Sequence, residues 1–96
     1  MESIHETVEA IAKKFLISPD ELMHESLKVY LVNRKKEYLA ERFEILSRYS
    51  VKNATELEEK IKSGEIPEHP SWEDLIELSN LEMEMQSMQD DINRLW

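Results

Sequence analysis

From Leu78 to Leu95, the apolar residues Leu78, Leu81, Met85, Met88, Ile92 and Leu95 recur at steps of 3, 4, 3, 4 and 3. That spacing lines one side of a helix made to pack along a partner helix. Trp72, Leu75, Ile76 and Met83 widen the apolar face near its start, so a long helix is predicted over about residues 71–95. A second stripe lies upstream, where Leu22, Glu25, Val29, Val32, Lys36, Leu39, Phe43 and Leu46 alternate steps of 3 and 4, interrupted by Glu25 and Lys36. No glycine or proline falls between Asp20 and Tyr49, which predicts a helix over about 19–49, roughly 45 Å long at 1.5 Å per residue. Its first half is apolar over a wide arc, through Met23, Leu27, Tyr30 and Leu31, and can contact two neighbours at once. Two shorter helices complete the pattern. The first, about 3–16, carries Ile4, Val8, Ile11 and Phe15 on one face, and the third carries Leu57 and Ile61.

Local start and stop signals agree with these spans. Ser3 with Glu6 reads as a capping box, and Ser18-Pro19-Asp20-Glu21 supplies a cap, a proline in the first turn and two acids near the positive end of the helix dipole. Asn53 or Thr55 caps the third helix, Gly64 is the left-handed residue expected to end it, and Ser71 with Asp74 is read as the cap of the fourth. Residues 63–71 are therefore read as a hinge built from Gly64, Pro67, Pro70 and Trp72, with Trp72 plugging it against the bundle. The expected architecture is all-α: one domain over residues 1–96, with four helices and the two long ones forming a helical hairpin or a dimeric bundle. Leu27, Tyr30, Leu31, Leu39, Phe43 and Leu46 form its seam on the second helix. Leu78, Leu81, Ile92 and Leu95 form it on the fourth. Periodicity leaves open whether these seams close within one chain or between two.

Composition narrows the function. A chain of 96 residues buries only roughly 60 to 65% of its unfolded surface, so the core is thin, a roomy catalytic cleft is not expected, and self-association is a natural way to bury more. Cysteine is absent, which rules out disulfides and thiolate metal sites. No run approaches the ~18 apolar residues that cross a bilayer, and no apolar signal core stands at the N-terminus, so a soluble cytoplasmic protein is expected. Charge is uneven along the chain. Residues 1–36 hold six acids and six bases, whereas residues 63–96 hold nine acids against Arg94 alone. An acidic segment of this kind is either a solvated helix face or a face for a basic partner.

Candidate chemistry changes little in this picture. His69 stands among Glu65, Glu68, Glu73 and Asp74, but one histidine with scattered carboxylates has no recognised metal-ligand spacing. His5 and His24 form ordinary one-turn pairs with Glu9 and Asp20. A single glycine excludes a phosphate-cradling loop, and no serine lies in a nucleophile-elbow context. No enzyme activity, metal or cofactor is expected. Arg34, Lys35, Lys36, Arg42 and Arg48 form a basic run, but Glu37, Glu41 and Glu44 offset it, and nucleic acid is not an expected partner with a pI near 4.8. Met85 and Met88, with Met83, are either core filling or an adaptable binding surface.

Two resemblances add to this reading. The stretch "ETVEAIAKKFLISPDELMHESLKVYLVNRKK" resembles the paired helices of ribbon-helix-helix repressors, which implies an intertwined dimer. Those proteins read DNA through a strand before the first helix, where this chain has only Met1 and Glu2. The stretch "RYSVKNATELEEKIKSGEIPEHPSWEDLIELSNLE" is similar to small, largely archaeal, antitoxin-like helical proteins through Tyr49, Val51, Gly64, His69, Pro70 and Trp72 among others. That resemblance implies binding to a toxin-like partner. The expected function is a homodimeric, non-enzymatic interaction module that engages a basic partner protein through Glu73, Glu77, Glu84, Asp91, Met85 and Met88. A self-assembling helical scaffold and a DNA-binding autoregulator are the alternatives.

Overall fold

A computed structural model describes residues 3–96, which form four helices: α1 (Ile4–Lys14), α2 (Pro19–Tyr49), α3 (Ala54–Lys62) and α4 (Glu68–Leu95). No strand occurs among the described residues, and the fold is all-α. The strand position of the ribbon-helix-helix pattern falls at Met1 and Glu2, outside the described residues.

Three of the predicted starts are closed by side chains. Ser3 Oγ accepts the Glu6 N–H at 3.2 Å, Ser18 Oγ accepts that of Glu21 at 3.0 Å, and Asn53 Oδ1 accepts that of Glu56 at 2.8 Å. Each satisfies a donor that the first turn would leave open. At the other ends, α1 and α2 stop on left-handed residues that are not glycine, Leu16 (φ 58°) and Ser50 (φ 53°). The following N–H groups reach back five residues, Ile17 to the Ala12 carbonyl and Val51 to that of Leu46, closing both ends as Schellman motifs. Gly64 takes φ 80° just past α3, as its position in the sequence predicts.

The start of α4 differs from the expectation. Helical geometry begins at Glu68, breaks at His69 (φ −113°, ψ 128°) and resumes through Pro70, whose peptide bond with His69 is cis. Ser71 does not cap: its hydroxyl donates to the Pro67 carbonyl and is 1% exposed. Trp72 does not plug the hinge either, being 45% exposed. The buried place in this turn goes to Ser71, whose hydroxyl is satisfied by the Pro67 carbonyl.

Helices α2 and α4 form an antiparallel hairpin within the chain. His24 meets the Leu95 carbonyl, Lys35 meets Gln89, Arg42 Nε donates to Glu82 Oε1 at 3.2 Å, and Arg48 Nη1 donates to Asp74 Oδ1 at 3.3 Å. The second number falls as the first rises, which fixes direction and register together. The main core sits at the hinge end, where Ile45, Leu46 and Val51 pack with Ala54, Leu57 and Ile61 of α3 and with Leu75, Leu78 and Leu81 of α4. Beyond it the molecule thins, and of the described residues only Ala12 and Ile92 are buried there. The radius of gyration is 19.7 Å, against about 12 to 13 Å for a compact chain of this length. A two-helix stem with α1 laid on it cannot enclose its apolar residues by itself.

Candidate functional site

Helix α4 carries acids on two sides, and the fold treats them differently. Asp74 and Glu82 face α2, where Arg48 and Arg42 neutralise them at 3.3 and 3.2 Å. Asp74 also accepts the Tyr49 hydroxyl; burial of the phenol and this carboxylate push the Tyr49 pKa up to about 12. Glu73, Glu77 and Glu84, spaced by four and seven residues, share the outer side of the helix. All three are exposed and make no ion pair among the described residues. Asp91 continues this ridge but is half-buried and paired with Arg94, so its charge is partly spent within the chain.

An apolar edge runs beside the ridge. Trp72, Ile76 and Met83, again at steps of four and seven, are 45%, 50% and 71% exposed. Together the two rows make a face of alternating carboxylates and large apolar groups. Of the methionines proposed for partner contact, Met85 and Met88 are half-buried, and Met85 lines a groove between the long helices with Arg42, Glu82 and Gln89. Met83 is the exposed one, because its step from the stripe residue Leu81 turns it out of the α2–α4 contact. Composition does not reveal this, but the spacing of Trp72, Ile76 and Met83 away from the Leu78–Leu81 stripe is a signal that would have.

The seam residues of α4 are all buried or half-buried, whereas those of α2 are mixed. Leu46, Leu78, Leu81 and Ile92 are buried, and Leu31 and Leu95 are half-buried. Leu27, Tyr30, Leu39 and Phe43 remain 50%, 61%, 43% and 72% exposed. Of the residues read as a hinge, Gly64 and Pro67 lie between α3 and α4, whereas Pro70 and Trp72 lie in the first turns of α4.

Along α2 the cations are mostly engaged. Arg34 binds Glu37 at 2.6 Å and the Tyr38 hydroxyl at 3.2 Å, a geometry that raises its pKa further, while Lys35, Arg42 and Arg48 reach α4. Lys36 is exposed and has no ion pair among the described residues. His5 and His69 are exposed, and no group of three or more His, Asp or Glu side chains is placed to hold a metal ion among the described residues. No helix among them is long and apolar enough to cross a membrane.

No curated protein and no solved structure matches the chain. A family model does, over residues 1–95, a span that takes in all four helices and the whole outer face of α4. The chain therefore belongs to the family described as the uncharacterized protein MJ0235 family.

Proposed function

We propose that the protein is a non-enzymatic cytoplasmic interaction module which, as a homodimer, binds a basic partner protein through the outer face of α4 in the manner of an antitoxin. The observation that carries this reading is the row of exposed carboxylates, Glu73, Glu77 and Glu84, without an ion pair among the described residues, beside the exposed Trp72, Ile76 and Met83. Acids steer and orient a basic surface, while large apolar groups supply most of the binding energy once water is excluded. The similarity of residues 48–82 to antitoxin-like helical proteins points the same way.

A tagged protein recovered from native lysate at low and high salt tests this. A stoichiometric basic partner that is released at high salt, and lost with the triple variant Glu73→Lys, Glu77→Lys, Glu84→Lys, is the expected result. Equal recovery with the triple variant would sink the electrostatic part, provided its far-ultraviolet dichroism matches the parent. A second reading, a self-assembling scaffold, is favoured by the exposed Leu39 and Phe43, and predicts a clean homo-oligomer with nothing attached.

A further inference from the structure

Except at Leu46, which packs into the hinge-end core, the heptad stripe of α2 is not the side that faces α4. Val29, Leu39 and Phe43 are 58%, 43% and 72% exposed, and Glu25 and Lys36 stand exposed between them. Near its middle the stripe opens into a shallow groove of about 300 Å³ lined by Val29 and Val32, with Trp96 at its edge. A long helix that leaves a coiled-coil stripe in water calls for a second helix of the same spacing.

We propose that a second copy of this chain covers the stripe through an antiparallel, two-fold pairing of α2 on α2, centred between Tyr30 and Leu31, in which Glu25 of each copy meets Lys36 of the other. This specifies the interface of the homodimer named above and rests on that part of the reading. Antiparallel identical helices oppose residues whose numbers have a constant sum, so the stripe can be tested against itself. With the axis between Tyr30 and Leu31, Val29 opposes Val32, Glu25 opposes Lys36 and Leu22 opposes Leu39. Every apolar stripe position in this span meets an apolar one, and the two charges satisfy each other, twice over by symmetry.

Neighbouring registers do worse. Sliding by one heptad sets Glu25 against Phe43 or Val29, and Lys36 against Val32 or Ser18. A parallel pairing stacks Glu25 on Glu25 and Lys36 on Lys36, and like charges in a seam are a strong veto. Polar residues at seam positions are a known means of fixing register and orientation. The chosen register also brings Phe43 to the level of Ser18 on the other copy, beside Phe15 and Leu16, which are 70% and 92% exposed.

Charge and area agree with a second copy as the occupant. Residues 1–36 hold six acids and six bases, so this part of two chains can approach without net repulsion, whereas residues 63–96 with nine acids and one base cannot. The exposed parts of Val29, Leu39, Phe43, Phe15, Leu16 and Trp96 present on the order of 800 Å² per copy, one partner's share of a standard interface. Lys36 has no ion pair among the described residues. Among the described residues Glu25 has only its own helix neighbours, Lys28 at 3.6 Å and the His24 ring at 3.8 Å.

Sedimentation equilibrium on the full chain tests the pairing. Glu25→Lys and Lys36→Glu should each weaken the dimer by about tenfold or more, because each places two like-charge contacts in the seam. The combined E25K/K36E variant should regain the parent dissociation constant to within about threefold, and the two single variants mixed in equal amounts should form a heterodimer. Since the chain has no cysteine, Val29→Cys mixed with Val32→Cys should cross-link on oxidation faster than either variant alone. A dimer indifferent to the charge exchanges, or V29C linking to itself as fast as to V32C, overturns this pairing and leaves the homodimer standing. A monomeric parent overturns both.

Discussion

Glu82 Oε1 accepts Arg42 Nε at 3.2 Å and the Ala54 backbone N–H at 3.3 Å, so one carboxylate ties α2 to α4 and satisfies the first turn of α3. Arg42 extends the link by donating to the Lys52 carbonyl at 3.2 Å. The pair side chains are 26% and 32% exposed, sheltered enough for the geometry to hold. Glu82→Ala should lower stability by about 1 to 2 kcal/mol, since it strands an arginine and a backbone donor together. Glu77→Ala, on the outer side of the same helix, should change it by less than about 0.5 kcal/mol. Urea unfolding of both variants measures the difference.

Tyr49 should give the protein an alkaline limit. Its pKa rises from the ordinary 10 to about 12, chiefly through burial and then through its bond to Asp74. A raised folded pKa means that the folded state holds this proton more tightly, so the contribution is complete below pH 10 and is lost as pH climbs through about 12. Tyr49→Phe should cost about 1 kcal/mol at neutral pH, where the hydrogen bond is lost, and should flatten the fall in stability above pH 10. A thermal melting series from pH 8 upward compares the two slopes.

The hinge-end core should dominate stability. Leu57 and Leu78 are 0% exposed, and truncating either to alanine should cost about 2 to 5 kcal/mol. Phe43→Ala, at a site 72% exposed, should leave monomer stability within about 0.5 kcal/mol. Unfolding at protein concentrations below the dissociation constant of the proposed dimer keeps the two effects apart.

Ser50 closes α2 at φ 53°, on backbone that a Cβ disfavours. Ser50→Gly should stabilise the chain by about 0.5 to 1 kcal/mol, because the left-handed residue contributes only its N–H to the Leu46 carbonyl. Denaturant midpoints of parent and variant show the sign.

Much of the secondary structure was legible because its causes are local. Ser3, Ser18 and Asn53 each bond to an N–H three residues on, and Gly64 ends α3 by its own backbone freedom. The misreading of Ser71 has the opposite origin. Its sequence context is that of a cap, but the hydroxyl is taken by the Pro67 carbonyl inside a packed turn. Likewise the acid count of residues 63–96 was plain, while the distinction between paired Asp74 and unpaired Glu77 depends on where Arg48 lies in space.

The sequence by itself determined an all-helical chain with two long helices, the span of α2 and the acidic character of α4, since capping, breakers and net charge act over a few residues. Only the tertiary structure decided which of the two apolar sides of α2 turns to α4. That choice follows from the antiparallel register held by Arg42 with Glu82 and Arg48 with Asp74, contacts between residues far apart in the chain. It buries Ile45 and Leu46 and leaves Val29, Leu39 and Phe43 in water, because a hairpin of two helices can cover only one side of each.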